Sequence, residues 1–488
     1  MAMIDDYEPT IGIECHVQLA TATKLFSGAD NDARDAAPNT TVSPICFGLP
    51  GVLPVLNTQA VQLAIRAGIA LNAEVNLFSA FERKHYFYPD LPLGYQITQL
   101  ERPVIGAGIV EVPLRDGSTF PVRLHHAHLE SDAGKLTHPE GADYSLVDLN
   151  RAGTPLIEIV SEPDMHTSEQ AKAYAQELYL RMVYAKVTHG NLFHGNMRFD
   201  VNISIAKKGA TELGTRAEIK NLNSFKSVEK VVEYEFKRQC ALLEKGETVV
   251  QETRGWNEPK QKTFTQRSKE DAHDYRYFPD ADLPPIQLTQ EEVDAVAKAM
   301  APALPSSIRQ RLLAKSVSAK SIATLFLYPL LLDRVLAVEQ LSSDDILKQI
   351  IDILINVLPP ELEKEATPPL PDSGYLPEPA ALVTLIKLVN DSTINGSNAK
   401  ELLRQSWKDL TDPAAIAEKL GFIQDNDEDA LAALVDALLA DPIAEQSVND
   451  YKAGNQRAMG FFVGQLMKRS GGKANPALAQ KIIKQRLG

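Results

Sequence analysis

The sequence predicts an α+β domain followed by two all-α domains. Before about residue 290, short alternating or β-branched runs are interrupted by glycine and proline, which is typical of strands. After that point nearly every segment is rich in Leu, Ala and Lys with helical periodicity. Strands and helices do not alternate regularly in the first part, which favours α+β over a doubly wound sheet. The predicted domains cover residues 1–293, 294–411 and 412–488.

The elements of the first domain follow from periodicity and capping. Period-two alternation predicts strands over Thr10–Leu19, Gly108–Val112, Thr119–His128, Leu156–Val160 and Arg198–Ile205. Helices are predicted over Gln59–Leu71, from Thr167 to about Lys186, and over Phe225–Leu243. Thr167 and Gln170 form a capping-box pattern at the start of the second helix.

The second part of the chain reads as a series of helices joined by short loops. Seven prolines between Pro359 and Pro379 predict a loop there. The predicted helices are Glu291–Met300, Ser306–Ala314, Ser318–Leu327, Asp344–Leu354, Glu378–Asn390, Ala414–Lys419, Glu428–Ala440, Gln446–Ala453, Gln456–Lys468 and Pro476–Arg486.

Composition places the chain among ordinary globular proteins. Its 488 residues are 44% apolar and 23% charged. Three cysteines are too few for a disulfide scaffold, which indicates a reducing compartment. The N-terminus resembles neither a secretory signal nor a transit peptide, and no apolar run approaches the length of a membrane span. We therefore expect a cytoplasmic protein with no membrane partner.

The charge is unevenly distributed along the chain. A net charge of -14 argues against general nucleic-acid binding if the charge is evenly spread. Residues 451–488, however, contain eight Lys or Arg and no Asp or Glu, so the preceding 450 residues carry -22. The chain is an acidic body with a basic helical tail, and the tail is the part expected to meet RNA phosphate.

The common nucleotide and hydrolase motifs are absent. The sequence has no P-loop and no dinucleotide-binding glycine pattern after a strand. It also lacks H-E-x-x-H and G-x-S-x-G. An enzymatic function would therefore need a less common set of residues.

Metal-ligating side chains recur on one face of four predicted strands. Alternation puts Glu14, His16 and Gln18 on one face of the first strand. The other three strands follow the same pattern with His126, His128, Glu130 and Asp132, with Glu158, and with Arg198, Asp200 and Asn202. A solvated sheet face is the alternative, but these residue types are the ligands of metal–phosphate chemistry. An acidic face that holds metal ions against nucleotide phosphates is favoured.

Two kinds of loop add candidate binding residues. Lys135 follows Gly134, Asp148–Pro155 contains Asn150 and Arg151, and Glu218–Ser224 contains Lys220 and Asn221, which suits phosphate binding. Capping and turn formation remain the alternative for the Asn and Ser residues. Aromatic residues with neighbouring charges at 83–90 and 274–280 suit stacking of an unpaired base, or equally serve as loop anchors.

Taken together, these motifs resemble those of the B subunits of aspartyl/glutamyl-tRNA amidotransferases (GatB). The resemblance runs from about residue 8 to the C-terminus, and the string at 145–164 is highly specific. The matching strings are Ile11–Gln18, Gly48–Asn57, Arg83–Pro89, Asp132–Lys135, Ser145–Asp164, Glu218–Phe225, Gln251–Arg254, Asp274–Pro279, Gln446–Gly464 and Gly472–Pro476.

The resemblance implies an activity and partners. GatB proteins work in a heterotrimer, GatCAB, with an amidase (GatA) and a small third protein (GatC), on mischarged Glu-tRNA(Gln) or Asp-tRNA(Asn). They use ATP and Mg²⁺ to phosphorylate the side-chain carboxylate, and ammonia from the amidase then displaces phosphate. The implied fold is a cradle related to glutamine synthetase, followed by a helical domain and a small tRNA-binding tail domain of the YqeY type.

The resemblance also implies roles for individual residues. The metal ligands and catalytic residues are Glu14, His16, Glu130 and Glu158, with Asp200 as a further catalytic residue. The resemblance places Asp148, Asn150, Arg151, Arg198 and Asp200 at the pocket for ATP and the acyl end. The loop and strand patterns described above add Lys135, Asn202, Lys220 and Asn221 to that pocket. The aromatic clusters and the basic tail predict tRNA contacts at Tyr86, Tyr275, Arg276, Lys468, Arg469 and Lys473.

One departure concerns zinc. Many relatives carry a C-P-x-C pair that contributes to a zinc site, whereas this chain reads Ser43-Pro-Ile-Cys46. A single cysteine there predicts that no zinc is bound.

Two alternatives compete with a role in such an amidotransferase. One is a stand-alone ligase for a small acid, which would not need the long helical part. The other is a non-catalytic tRNA-binding protein, which the retained Glu14, His16, Glu130 and Glu158 disfavour. The choice between Glu-tRNA(Gln), Asp-tRNA(Asn) or both stays open at this point.

Overall fold

The computed structural model describes residues 6–114, 116–268, 274–364, 376–424, 428–470 and 474–488. The chain forms two compact units, Met1–Gln310 and Arg311–Gly488. The first unit has a mixed sheet region, and the second is helical. The likeness to a glutamine synthetase cradle and the division into three domains stay predictions.

The described strands lie in the first unit. In chain order they are β1 Tyr7–Gln18, β2 Ala73–Val75, β3 Phe78–Ser79, β4 Glu82–His85, β5 Tyr95–Thr98, β6 Ile105–Pro113, β7 Thr119–Ser131, β8 Lys135–Thr137, β9 Leu146–Asp148, β10 Pro155–Ser161, β11 Met197–Lys207, β12 Ala217–Leu222, β13 Glu252–Asn257, β14 Lys262–Ser268, β15 Phe278–Pro279 and β16 Ile286–Gln287. The five predicted strands are confirmed as parts of β1, β6, β7, β10 and β11.

Nine strands form one sheet in the order β14-β13-β12-β11-β1-β10-β7-β6-β2. Neighbours pair antiparallel except β12 and β13, which are parallel. Smaller sheets join β15-β4-β5, β16-β3 and β8-β9. The central position of β1 explains why its alternation is so regular, because both of its edges are paired.

The helices are α1 Thr58–Leu71, α2 Ser168–Tyr184, α3 Phe225–Glu244, α4 Gln290–Met300, α5 Pro305–Ala314, α6 Ala319–Leu327, α7 Pro329–Glu339, α8 Asp344–Val357, α9 Pro359–Lys364, α10 Pro379–Asn390, α11 Gly396–Ser406, α12 Pro413–Lys419, α13 Glu428–Leu439, α14 Glu445–Lys452, α15 Ala458–Arg469 and α16 Pro476–Leu487. The boundary between the two units falls within α5. Among the described residues, no helix combines the length and apolar character needed to cross a membrane.

One side of the large sheet is the core of the first unit. The alternate residues Ile11, Ile13, Cys15 and Val17 of β1 are at most 1% exposed. They belong to one apolar cluster with side chains of α1, α2 and α3. Since successive strand residues point to opposite faces, the intervening residues of β1 must lie on the other face.

Several elements differ from the sequence-based expectation. Helix α7 was not predicted; Pro329 opens it at the first helical turn, where proline is tolerated because its missing N–H would have no partner there. Helix α11 was not predicted; Asn395 caps its start. The predicted loop 359–379 begins with the short helix α9, and residues 365–375 lie outside the described part of the chain.

Candidate active site

The polar face of the large sheet brings four predicted residues into one row. In the strand register, Arg198 of β11 lies opposite His16 of β1, and His16 lies opposite Glu158 of β10. Glu158 in turn lies opposite His128 of β7. In the adjacent row, Glu14 lies opposite Asp200. The pairing therefore places residues far apart in sequence on one surface, as the alternation had predicted.

His16, Glu130 and Glu158 form the first group of potential metal ligands. One ligand atom from each lies within 4.8 Å of the others. His16 Nε2 is 3.5 Å from Glu158 Oε2 and 3.8 Å from Glu130 Oε1. His128 Nε2 approaches the same two carboxylates, at 3.4 Å from Glu158 and 3.7 Å from Glu130. One imidazole with two carboxylates is a donor set that suits a divalent cation.

The charges of this group are strongly coupled. Burial lowers the pKa of His16, but the hydrogen bond and charge of Glu158 and the charge of Glu130 outweigh it and raise the pKa to about 9. His128 likewise has a pKa of about 9, because Glu130 and Glu158 overcome the effect of burial. Burial favours the neutral form of Glu158, yet the two histidines hold its pKa well below the usual range. His16, His128 and Glu158 therefore favour one another's charged forms.

Glu14 belongs to a second acidic group, with Asp200 and Glu218. Lys220 Nζ lies 2.8 Å from Glu218 Oε1 and 3.5 Å from Asp200 Oδ2. Burial and the charge of Glu158 raise the pKa of Glu14. The structure therefore divides the predicted ligand set of four: three residues converge, and Glu14 lies with Asp200 in the next row.

Backbone and amide groups hold the second group in place. Asn202 Nδ2 donates to Glu14 Oε1 at 2.9 Å. Asn221 has a positive φ of 62° and donates its backbone N–H to Asp200 Oδ1 at 2.8 Å. Asn tolerates this left-handed conformation better than most residues, which explains its place in β12 where the pairing register with β11 shifts.

Two guanidinium groups converge on Asp132 at the end of β7. Arg198 Nη2 is 3.2 Å and Arg151 Nε is 3.3 Å from Asp132 Oδ2. Arg151 also donates to the carbonyl oxygens of Ala133 and Gly134. Asp132 thus orients both predicted anion-binding arginines beside the first group.

The other predicted loop residues bind neighbouring backbone. Asp148 accepts from Asn150 N and from Asn39 N, and it caps a short turn over Leu149–Arg151. Asn150 Oδ1 accepts from Thr41 N at 2.9 Å. Lys135 lies opposite Asp148 in the small sheet β8-β9. These contacts match the capping alternative, and a role in ATP binding stays a prediction.

Aromatic residues form a cluster beside the carboxylates. The rings of Tyr86 and Tyr275 are 6.1 Å apart, edge to face. Lys84 Nζ lies 4.9 Å from the centre of the Tyr275 ring. Burial lowers the pKa of Lys84, but Glu130 is the largest of the charges that raise it overall. Arg276 is 80% exposed and has a positive φ of 43°.

The basic residues of the tail differ in whether they form ion pairs with acidic side chains. Arg469, at the end of α15, forms an ion pair with Asp441. Lys468 forms no ion pair within the described residues. Lys481 and Arg486 pair with Glu428 and Asp436 of α13. Lys473 lies outside the described residues.

Cys46 lies in a buried polar contact with a lysine. Its Sγ is 3.4 Å from Lys24 Nζ and 3.3 Å from Ser43 Oγ. Lys24 is only 1% exposed. The Cys46 thiol thus has a buried lysine as its neighbour, and the absence of zinc stays a prediction.

Four residues of this surface were not assigned individual roles in the sequence-based site. His128, Asp132, Glu218 and Lys84 all contact or influence the two groups. His128 and Asp132 had been placed on the polar strand face by alternation. Glu218 and Lys84 lie in strings that carry the family resemblance. Their contacts depend on strand pairing, which the sequence alone does not fix.

Comparisons with known proteins found matches over most of the chain. The GatB/GatE catalytic domain family matches residues 9–294, and the GatB domain family matches residues 337–487. The B subunit of the aspartyl/glutamyl-tRNA(Asn/Gln) amidotransferase of Persephonella marina is 43% identical over 484 residues, which cover 99% of this chain and 100% of that protein. The B subunit of Rhodopseudomonas palustris is 43% identical over 498 residues, covering 99% of this chain and 97% of that protein. The chain belongs to the family of aspartyl/glutamyl-tRNA(Asn/Gln) amidotransferase B subunits.

Proposed function

We propose that this chain is the ATP- and Mg²⁺-dependent subunit of an amidotransferase that converts mischarged Glu-tRNA(Gln), Asp-tRNA(Asn) or both to the correctly charged forms. The observation that carries the proposal is the convergence of His16, Glu130 and Glu158 beside Arg198 on one sheet face. The related B subunits bear the name of this activity. Since the reaction serves protein synthesis, we expect it in the cytoplasm.

The chemistry of the donor groups fits Mg²⁺. His16, Glu130 and Glu158 would hold the ion through one nitrogen and two carboxylate oxygens. Bound there, Mg²⁺ would neutralise charge on the phosphates of ATP. In the second group, the Lys220 ammonium lies between Asp200 and Glu218 and offsets part of their negative charge. This group would therefore attract a metal ion less strongly than the first group.

In the proposed reaction, an oxygen of the amino-acid side-chain carboxylate attacks the γ-phosphorus of ATP. ADP leaves and an acyl phosphate forms. Ammonia then adds to the acyl carbon, inorganic phosphate leaves with the bonding electron pair, and a proton passes to solvent. A carboxylate alone has no good leaving group, so the phosphorylation makes the amidation feasible.

The residues of the chain contribute orientation and positive charge. Asp132 fixes Arg198 and Arg151, whose guanidinium groups match the geometry of phosphate oxygens. Lys84 adds an ammonium near Glu130. Tyr86 and Tyr275 offer ring faces on which the terminal base of tRNA would stack. These groups are held before the reaction, so little reorganisation is needed.

The chain is proposed to act with two partner proteins. An amidase, GatA, would release ammonia from glutamine, and a small protein, GatC, would complete a heterotrimer. The tail helices would bind tRNA through Lys468 and its basic neighbours, since the tail lacks acidic residues after position 450.

Reconstitution with GatA, GatC, ATP, glutamine and each mischarged tRNA tests the proposal. Glu158→Gln should reduce transfer of the γ-phosphate by at least about 100-fold while tRNA affinity stays unchanged. The exposed Glu74→Gln serves as the matched control. Full phosphorylation by Glu158→Gln, or no amidation of either tRNA by the wild-type complex, would contradict the proposal.

A further inference from the structure

Arg83 of β4 connects two parts of the first unit that are 197 positions apart in the sequence. Its Nε donates to Asp280 Oδ2 at 2.8 Å, and its Nη2 donates to Asp282 Oδ2 at 2.7 Å. The side chain of Asp280 is 0% exposed, and that of Arg83 is 18% exposed. Because an unpaired charge is costly at a buried position, Arg83 fixes Asp280 beside β4.

Aromatic rings define the position of the Arg83 guanidinium group. Its Cζ lies 4.5 Å from the centre of the Tyr95 ring and 6.0 Å from that of Phe278. Phe278 of β15 lies opposite Arg83 of β4, and the Phe278 ring stacks on the His85 imidazole with centres 4.6 Å apart. A planar guanidinium binds carboxylates through its edge and rings through its face at the same time, whereas an ammonium is a point charge without such a plane. Arg83 thus fastens the segment 274–282 to β4.

The segment 274–282 also carries Tyr275 into the aromatic cluster. The backbone N–H of His85 donates to the Tyr275 carbonyl oxygen at 2.8 Å. The Tyr275 ring lies 6.1 Å from the Tyr86 ring and 6.2 Å from the Tyr277 ring, and Lys84 Nζ lies over its face at 4.9 Å. Two of these contacts come from the residues on either side of His85. The cluster therefore depends on how the segment 274–282 is held against β4.

Lys84 relates this cluster to the first group of potential metal ligands. Burial lowers the pKa of Lys84, whereas the charges of Glu130, Tyr277 and Glu158 raise it. Burial also raises the pKa of Tyr86, and the charge of Glu130 raises it further. The rings of the cluster thus lie close to the carboxylates at which the proposed reaction would take place. An aminoacylated RNA end bound there would have its terminal base beside these rings.

We propose that Arg83 is a positioning residue for the aminoacylated end of tRNA. Through Asp280 it holds Tyr275 against Tyr86 and Lys84, and this arrangement sets where the terminal base stacks. The inference rests on the proposed function and adds a residue that itself contacts no substrate. A displaced ring would lose its stacking contact with the base, so a change at Arg83 should act on tRNA binding. A purely structural ion pair is the alternative, and its loss would affect every step of the reaction alike.

Steady-state kinetics of the complex reconstituted with GatA and GatC test this role. Arg83→Gln should raise KM for the mischarged tRNA by about 10-fold, since one stacking contact is weakened. KM for ATP and kcat at saturating tRNA should stay within about twofold, because the lost interaction serves tRNA binding alone. Arg83→Lys should not restore KM for tRNA, because an ammonium does not replace the planar fork. Arg102→Gln is the matched control and should leave KM for tRNA unchanged, since Arg102 is exposed and its Cζ lies 5.1 Å from the centre of the Phe78 ring.

Changes at the two carboxylates complete the test. Asp282→Asn removes only the outer ion pair, since the Asp282 side chain is 35% exposed, so this variant should fold even if Arg83→Gln does not. It should raise KM for tRNA by about threefold. In a double-mutant cycle, Arg83→Gln combined with Asp280→Asn should raise KM for tRNA no further than the larger single effect, because both changes break the same link.

The outcomes separate the role of Arg83 from the proposed function. An unchanged KM for tRNA in Arg83→Gln or Asp282→Asn, or restoration by Arg83→Lys, would overturn the role of Arg83. Parallel changes in both KM values and kcat, or additive effects in the cycle, would overturn it as well. No amidation by the wild-type complex would instead contradict the proposed function itself.

Discussion

The buried ammonium of Lys24 should reduce the stability of the first unit. Lys24 is 1% exposed, and its Nζ lies 3.4 Å from Cys46 Sγ and 3.5 Å from the Leu149 carbonyl oxygen, which are its hydrogen-bond contacts among the described residues. Burial lowers the pKa of Lys24, and the weak opposing effect of Cys46 does not restore it. Lys24→Met keeps the apolar stem, which packs against Gly153, and removes the charge. We expect this change to raise the free energy of unfolding by about 1–3 kcal/mol at neutral pH.

The sign of the pH dependence follows from the lowered pKa. A protonated Lys24 is less favourable in the folded than in the unfolded chain, so the wild type is penalised most at pH values below the folded pKa. The penalty falls as the pH rises and disappears above the unfolded value of about 10.4. The increase in the free energy of unfolding caused by Lys24→Met should therefore be larger at pH 7 than at pH 9.5.

Urea unfolding followed by Trp256 emission in a Trp407→Phe background measures the first unit separately from the second. Lys226→Met, at an exposed position, provides the matched control and should change stability by less than about 0.5 kcal/mol. A less stable Lys24→Met variant would refute this reasoning, because it would show that the lysine stabilises the fold. An equal gain at both pH values would show that charge is not the cause.

Two further changes address the tail and the core. Lys468→Glu should weaken tRNA binding more than Arg469→Glu, because Arg469 already pairs with Asp441. Measured over a salt series, equal effects would contradict a free Lys468 as the phosphate contact. Glu177→Gln should lower the stability of the first unit by about 3 kcal/mol, since Glu177 is 1% exposed and accepts from Arg181 and Arg309. The exposed Glu169→Gln on the same helix is its control, and an unchanged urea midpoint would count against a buried ion-pair role.

Alternation along single strands was the most informative part of the sequence. Ile13, Cys15 and Val17 on one side of β1, with Glu14 and His16 on the other, follow from the two-residue period alone. Strand β1 has a paired neighbour on both edges, so one of its faces is fully buried and its alternation of apolar and polar residues is regular. The faces of β7, β10 and β11 could be assigned for the same reason.

Pairing between strands could not be read from the sequence. Glu14 could belong to the same potential metal site as Glu158 or to the same site as Glu218. Which of the two applies depends on which strands are neighbours and on their pairing register. The order of β12, β11, β1 and β10 is set by long-range contacts. In the same way, the eight basic residues of the tail predicted only that this segment meets RNA phosphate. Three of them turn out to be paired with acidic residues outside the counted segment.

The balance of charge on the sheet face bears on the proposed reaction, whose two substrates are both anions. Its carboxylates are Glu14, Glu130, Asp132, Glu158, Asp200 and Glu218. Its fixed cations are Lys84, Arg151, Arg198 and Lys220. The six carboxylates exceed the four cations by two charges, which is the charge of one divalent cation. ATP and a carboxylate substrate would be repelled by the acidic groups alone, so the fixed cations between them are what allow both anions to approach.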